Sequence, residues 1–218
     1  MPKTTFDKIA PAKRERLLRE AATLFGGRGF AGTDIAELAT RAGVSKGSIY
    51  TYFEGKDDLY LYVCRDGLAR SRNAVYGGLD PSWDVFRQID HIFRAGVAFV
   101  GQWPEYVVLY INVASPGMAR FADELSLEVE GRTAAHLKQV ISQGMADGIV
   151  RSGLDVEVAA FTINSIYITL LQSLVSPHYR IRLKQYLDLQ QTPSAETIGT
   201  HLDRIINCVQ DLLRPAEG

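Results

Sequence analysis

The chain has 218 residues, 46% of them hydrophobic, which is enough to bury a sizeable core in one or two domains. Its formal net charge is −1, and its cysteines, Cys64 and Cys208, are too few and too far apart for a disulfide framework or a metal site. It contains no uninterrupted apolar run of the roughly 18 residues that a membrane span needs, and its first residues lack a signal-peptide core. We therefore expect a cytoplasmic protein that binds no membrane, metal or cofactor.

The small net charge conceals an uneven distribution. Residues 1–53 carry nine Lys and Arg against five Asp and Glu, whereas the remainder carries 15 against 20. Neutralisation of phosphates by basic side chains supplies most of the affinity of nucleic-acid-binding proteins. The N-terminal quarter is therefore the part of the chain that suits a nucleic acid.

The first predicted helix covers residues 11–26. Pro11 suits a first helical turn, and the apolar residues recur at helical spacing. These are Leu17, Leu18, Ala21, Leu24 and Phe25. The basic residues near its start form either a solvated face or, beside a DNA-binding motif, a row of phosphate contacts.

Residues 27–32, GRGFAG, match the G-x-G-x-x-G fingerprint of dinucleotide-binding proteins. That fingerprint requires a preceding strand within a β-α-β unit, and here an amphipathic helix precedes it. We reject a nucleotide site and interpret Gly26 to Gly29 as a helix stop followed by a sharp turn.

Residues 33–56 indicate two short helices joined by a tight turn. Thr33 is the predicted N-cap of the first helix, Gly43 its C-terminal stop, and Ser45 the N-cap of the second. This spacing is typical of a helix-turn-helix, whose second helix lies in the DNA major groove. Only Ile49 and Phe53 give the second helix a buried face, so its polar side faces a partner.

The rest of the chain is predicted to be helical. A helix from Asp57 to about residue 72 ends before Gly77 and Gly78, which gives a helix-turn-helix domain over residues 1–56, a connecting helix over 57–73 and a larger domain over 74–218. Residues 106–113 have a strand-like composition, but without a partner strand we interpret them as a short buried helix. After a break at Pro116 and Gly117, a long helix ends near Gly148.

The last two predicted helices cover residues 156–174 and 198–213. The first is apolar on so much of its surface that it must be buried on more than one side. As an antiparallel hairpin, the pair could dock on the same pair of a second chain in a four-helix bundle, or both helices could complete a monomer core. The candidate dimer residues are Ile163, Ile166, Leu170, Leu174, Leu202, Ile205, Ile206 and Val209.

Residues 29–60, GFAGTDIAELATRAGVSKGSIYTYFEGKDDLY, resemble the N-terminal domain of TetR-family transcriptional regulators, and the resemblance covers about residues 13–62. It implies an all-α protein with a three-helix helix-turn-helix DNA-binding domain and a larger helical ligand-binding and dimerisation domain. It further implies a homodimer on a palindromic operator. The residues it assigns to DNA binding are Thr33, Ser45, Lys46, Gly47, Ser48, Tyr50, Thr51, Tyr52 and Lys56.

One departure from the family pattern concerns base reading. Many relatives have histidine where Tyr52 stands, and the second helix of the motif offers no Arg, Asn or Gln for bidentate contacts with bases. Direct readout would then come from Lys46, Thr51 and methyl contacts, with DNA shape contributing.

The resemblance also implies a small-molecule pocket whose ligand shifts the equilibrium between DNA-binding states. We expect a largely apolar or aromatic effector that releases a repressor from its operator. His136 and Asn164 are the most informative candidates, because a buried polar group needs a partner. The full candidate lining is Phe93, Phe99, Trp103, Tyr106, Tyr110, Phe121, His136, Asn164 and Tyr167.

An enzyme is disfavoured because the four histidines are scattered and no P-loop, metal-ligand spacing or nucleophile elbow is present. The remaining alternative is a DNA-binding adaptor whose helical body binds a protein instead of a small molecule.

Overall fold

The computed structural model describes residues 2–113, 115 and 118–215. All regular secondary structure within these residues is helical, which confirms the predicted all-α fold. The helices are α1 (Thr4–Asp7), α2 (Pro11–Gly32), α3 (Ile35–Ala42), α4 (Lys46–Tyr52), α5 (Lys56–Tyr76), α6 (Val85–Gln102), α7 (Pro104–Val113), α8 (Ala119–Ala146), α9 (Val156–Val175), α10 (Pro177–Tyr186) and α11 (Gly199–Asp211).

The chain forms two compact units. The first comprises Met1–Arg70 and Trp103–Leu125, and the second comprises Ser71–Gln102 and Ser126–Gly218. The N-terminal unit therefore includes α7, which lies within the 74–218 domain expected from the sequence. The domain boundaries at residues 56 and 74 stay a prediction.

Helix α2 is longer than its glycines suggested. The sequence predicted a stop near Gly26, but the helical segment continues to Gly32 and is kinked at Gly29, where φ is 71°. Gly26 is buried against α7: a Cβ there would lie 3.3 Å from Val108 Cγ1, and Asn112 Nδ2 donates to the Gly26 carbonyl at 2.7 Å. Gly26 thus allows a close helix–helix approach, and Gly29 supplies the turn.

Three further expectations can be compared with the structure. The interpretation of residues 106–113 as a helix is confirmed by α7, and the long helix that ends before Gly148 is confirmed by α8. Helix α5 continues to Tyr76, about one turn beyond its predicted end. Helix α10 was not predicted, and Pro116 and Gly117 lie outside the described residues.

The core of the first unit is aromatic. Tyr60 packs against Phe25, Phe30 and Phe121 with ring centroids 5.1, 5.4 and 5.0 Å away. Burial raises the pKa of Tyr60 far above its ordinary value. Because these rings come from α2, α5 and α8, the cluster joins the helix-turn-helix region to the start of α8.

In the second unit α6 packs against α9 and α11, and α10 packs against α9. The buried side chains of this core include Ile89, Phe93, Ile141, Leu170, Leu202 and Ile206. Among the described residues, one helix, α9, is long and apolar enough to cross a membrane, with a mean hydropathy of 1.6. The core helix of a soluble protein passes the same test, and polar residues such as Glu157 and Asn164 interrupt α9, so the expectation of no uninterrupted apolar run of that length is not contradicted.

Candidate DNA-binding interface and ligand-recognition cluster

Local side-chain chemistry sets the helix-turn-helix. Gly43 ends α3 in the left-handed region (φ 69°), and its N–H donates to the Ala39 and Thr40 carbonyls. Ser45 caps α4 by accepting from the Ser48 N–H at 3.0 Å. Both roles were predicted, and together they confine the turn to three residues.

The N-cap of α3 corrects the sequence analysis. Asp34 fills this position instead of Thr33, since its carboxylate accepts from the Ala36 and Glu37 N–H groups at 2.5 and 3.2 Å. The hydrogen bond from the Glu37 N–H, followed by the one from the Ala36 N–H, lowers the pKa of the Asp34 carboxyl group. Thr33 is 3% exposed, and its hydroxyl donates to the Gly29 carbonyl at 2.8 Å. Two adjacent residues could cap this helix, and the Thr33 hydroxyl is already used on the Gly29 carbonyl.

The second helix of the motif, α4, has one polar face and one buried face. Ile49 and Tyr52 are buried, and Phe53 directly after the helix is fully buried. Four predicted DNA contacts are exposed or half-buried at its N-terminal end, and Tyr50 and Thr51 are exposed further along. The four are Ser45, Lys46, Gly47 and Ser48. Tyr52, also a predicted contact, packs its ring 5.7 Å from Phe6.

Side chains beside this face come from α2 and α5. Lys56, a predicted phosphate contact, donates to the Ala31 carbonyl at 3.3 Å and lies 4.8 Å from the centre of the Phe30 ring. Arg16 is exposed, and its guanidinium would lie 3.4 Å from a Cβ at Gly43. The basic start of α2 therefore adjoins the turn, as phosphate contacts would require.

Sequence reasoning missed the role of the first residues. Lys3, Thr5 and Phe6, here called the N-terminal clasp, contact the C-terminal end of α4. Nothing in the pattern of residues 2–8 indicates this, because the partners lie more than 40 residues away.

The predicted effector-lining residues divide between the two units. Trp103, Tyr106, Tyr110 and Phe121 belong to the first unit, and Phe93, Phe99, His136, Asn164 and Tyr167 to the second. In the first unit these side chains have internal partners: the Tyr106 hydroxyl donates to Asp66 at 2.6 Å, and Phe121 is in the aromatic core. Burial and the Asp66 hydrogen bond raise the pKa of Tyr106.

The second unit contains a cluster of half-buried polar side chains beside its apolar core, here called the polar cluster: Tyr76, Glu130, His136, Asn164 and Tyr167. The His136 ring lies 5.3 Å from Tyr76 in an edge-on arrangement, and Asn164 Nδ2 donates to Glu130 at 3.3 Å. Tyr167 packs edge-on against Phe93 at 5.3 Å. The buried Nε2 of His136 has no hydrogen-bond partner within the part of the chain that the structure describes. Such an atom is suited to a ligand polar group.

Burial lowers the pKa of His136 below its ordinary value of 6.5. The unfolded chain then binds more protons than the folded one just below pH 6.5, so acidification lowers the free energy of unfolding, by at most about 1.4 kcal/mol per pH unit. We expect denaturant unfolding between pH 7 and 5 to show this loss and His136→Gln to flatten it. His178→Gln, on exposed α10, is the matched control and should retain the slope; identical slopes for His136→Gln and wild type would contradict the assignment.

An ion-pair network links α2, α5 and α7 in the first unit. Arg70 donates to Glu15 at 2.6 Å and to Asp66 at 2.7 Å, and its guanidinium lies 4.7 Å from the centre of the Trp103 ring. Arg19 lies at the same distance from that ring. Trp103 therefore has a cation from α2 and another from α5 as neighbours.

We expect Arg70→Ala to lower the free energy of unfolding by about 1–2 kcal/mol, because charged hydrogen bonds and packing on Trp103 are lost from a partly exposed site. Arg72→Ala is the matched control on the same helix and should change stability by less than about 0.5 kcal/mol. Chemical denaturation measures both variants, and equal losses would argue against the network.

Most of the candidate dimer residues are buried within the protein's own core. Ile166 and Ile205 are half-buried, and the other six are buried: Ile163, Leu170, Leu174, Leu202, Ile206 and Val209. The exposed large apolar side chains of α9 are Val158 and Phe161, at 59% and 74% exposure, and Leu212 directly after α11 is 39% exposed. Val158 and Leu212 line one groove, so an exposed apolar side chain of α9 lies near one that directly follows α11.

These features define a helix-turn-helix DNA-binding protein with a helical body. Residues 17–63 match the family model for bacterial regulatory proteins of the TetR family. The HTH-type transcriptional repressor KstR2 of Mycolicibacterium smegmatis is 29% identical over 151 residues, which cover 67% of this chain and 72% of that protein.

Two solved structures share the fold. A TetR-family transcriptional regulator from Chloroflexus aurantiacus is 26% identical, with a TM-score of 0.71 over 98% of this chain and 99% of that one. AibR, solved with isovaleryl coenzyme A and operator DNA, is 18% identical with a TM-score of 0.65, over 90% of this chain and 97% of that one. The chain belongs to the TetR family and is a DNA-binding transcriptional regulator.

Proposed function

We propose that this protein is a homodimeric cytoplasmic repressor that binds a palindromic operator through α4 and leaves it when a small molecule binds. The observation that carries the proposal is the face of α4, where Lys46, Gly47, Tyr50 and Thr51 are exposed while the opposite side is buried. A short, firmly capped helix with a polar outer face suits insertion into a major groove.

The exposed residues have distinct roles in this proposal. Lys46 contacts a phosphate or a base edge near the N-terminus of α4. Gly47 lets the DNA approach closely because it has no side chain, and a Cβ there would lie 3.8 Å from the nearest described atom, Ser45 Oγ. The Thr51 hydroxyl donates to the Gly47 carbonyl at 3.0 Å, so the Thr51 methyl group is the part that contacts a thymine methyl group. Ser45 and Tyr50 add phosphate contacts.

Selection of bound sequences from random duplex DNA tests this proposal. We expect an enriched palindrome, and we expect Lys46→Ala to weaken binding to it about tenfold with a shallower salt dependence. Lys138→Ala, on α8 of the second unit, is the charge-matched control and should bind as wild type. No enrichment, or equal affinity in the two variants, would contradict the proposed interface.

For the effector, we propose a largely apolar or aromatic molecule whose polar group meets the polar cluster. Two observations support this: His136 Nε2 is buried without a partner in the described residues, and the second unit places aromatic rings around the cluster, with Tyr76 against His136 and Phe93 against Tyr167. Because AibR was solved with isovaleryl coenzyme A, acyl-coenzyme A thioesters and their free acids are the first compounds to test.

The effector test measures operator release by each compound. A releasing compound should lose potency at least tenfold with His136→Leu, since the ligand group would face an apolar side chain. Lys138→Ala again serves as the control on α8. If a protein partner from the same cells releases the operator and no compound does, the adaptor alternative replaces this part of the proposal.

For dimerisation, we propose the apolar surface formed by Val158, Phe161 and Leu212, together with half-buried Ile166 on α9 and Ile205 on α11. Exposed apolar clusters of this kind mark interaction sites. A two-fold pairing of α9 and α11 would bury it and would place two α4 helices on repeated half-sites.

A further inference from the structure

The C-terminal end of α4 presents a physical problem. A helix of seven residues is too short to be stable by itself. In addition, the last carbonyl groups of any helix receive no hydrogen bond from an N–H group within that helix. Here the Ile49 carbonyl accepts from the Phe53 N–H at 2.8 Å, which leaves the carbonyls of Tyr50, Thr51 and Tyr52.

The N-terminal clasp supplies a donor to each of these three carbonyls. The Lys3 N–H donates to the Tyr52 carbonyl at 2.8 Å, the Lys3 ammonium to the Tyr50 carbonyl at 3.1 Å, and the Thr5 hydroxyl to the Thr51 carbonyl at 2.8 Å. A positive charge at this end also complements the helix dipole. Residues from the start of the chain thus complete the C-terminal cap of α4.

Phe6 anchors the clasp in the core. Its side chain is 0% exposed, and its ring centroid lies 4.9 Å from Phe53, 5.7 Å from Tyr52 and 5.4 Å from Tyr62 of α5. The Phe53 and Tyr62 rings also contact each other at 5.6 Å. One buried ring therefore ties α1, the end of α4 and the connecting helix α5 together.

We propose that the N-terminal clasp is a positioning element for operator recognition: it fixes the backbone of Tyr50 and Thr51 and thereby sets affinity and discrimination. The clasp does not need to touch DNA for this role. Two of the three carbonyls it holds belong to residues that face outward from α4, so a shift of that backbone moves the predicted base and phosphate contacts directly. The proposal rests on the DNA-binding interface proposed above.

The test uses full-length variants and the duplex selected with the wild-type protein. Thr5→Val and Lys3→Met each remove one side-chain donor, and each should weaken operator binding about two- to tenfold. Thr5→Ser keeps the hydroxyl and should bind as wild type. Affinity for a random duplex, which depends on phosphate contacts, should change less than operator affinity, so the ratio of the two falls.

A second readout separates positioning from general stability. Amide hydrogen exchange of α4 should accelerate in Thr5→Val while exchange of α9 and α11 stays unchanged. Phe6→Ala should lower operator affinity more than tenfold. Phe6→Leu should lower it less, because leucine keeps more of the buried contacts of the phenylalanine ring. Helical circular dichroism shows whether each variant is folded. If Phe6→Ala does not fold, Thr5→Val and Lys3→Met still test the proposal.

The outcomes also distinguish this proposal from the one on which it rests. If Lys46→Ala weakens operator binding while Thr5→Val, Lys3→Met and a folded Phe6→Leu bind within twofold of wild type, the clasp has no positioning role and the interface stands. If Thr5→Ser loses as much operator affinity as Thr5→Val, the role assigned to the Thr5 hydroxyl is wrong. If no duplex is selected at all, the proposed interface itself fails.

Discussion

Phe161→Glu is expected to convert the proposed homodimer into monomers. Phe161 is 74% exposed on α9, about one turn from exposed Val158, which lines a groove together with Leu212. A carboxylate buried there without a partner costs about 3–5 kcal/mol, which raises the dimer dissociation constant by two to three orders of magnitude or more. Operator affinity should fall with it, because two linked half-sites no longer act together.

Sedimentation velocity over a range of concentrations measures this change. Leu127→Glu is the matched control, since Leu127 is 78% exposed on α8 and lies outside the proposed surface. It should leave the dimer intact. A wild-type protein that sediments as a monomer, or a Phe161→Glu variant that remains dimeric, would remove α9 from the interface.

Gly67→Ala should strongly destabilise the first unit. A Cβ at Gly67 would lie 2.3 Å from Cδ1 of Tyr106, whose side chain is 4% exposed and whose hydroxyl is held by Asp66. The ring cannot move aside without losing that hydrogen bond, so we expect a loss of about 3 kcal/mol in the free energy of unfolding.

The matched control for Gly67→Ala is Gly27→Ala. Gly27 lies within α2, and a Cβ there would have no atom of the described residues within 4 Å, so this change should be neutral or stabilising by up to about 1 kcal/mol. In a Tyr106→Ala background Gly67→Ala should cost little, because the obstructing ring is gone. Urea denaturation measures all of these variants, and equal stability of the two glycine variants would refute the steric argument.

Local patterns were sufficient to predict the helix-turn-helix. Gly43 and Ser45 act on atoms within three or four residues, so their roles can be derived without tertiary information. Sequence pattern was likewise sufficient to predict that the rest of the chain is helical, including α7, α8 and α9. Thr33 shows the limit of this reasoning, because two adjacent residues suit the N-cap of α3 and the sequence pattern does not show that Asp34 fills it.

Features that depend on distant partners could not be derived. Gly26 lies in a helix because α7, about 80 residues later, packs on it and bonds its carbonyl. The N-terminal clasp depends on the same kind of contact. Apolar spacing also could not separate residues that fill the body's own core, such as Ile163, from the exposed Phe161 two positions earlier.

The position of Trp103 between two guanidinium groups has a spectroscopic consequence. The chain has two tryptophans, and Trp83 lies in the other unit, so Trp83→Phe leaves one indole fluorophore. Its emission depends on the charges above its ring, which come from Arg19 on α2 and Arg70 on α5. The protein therefore carries an intrinsic optical reporter of the spacing between these two helices, readable in solution without a label.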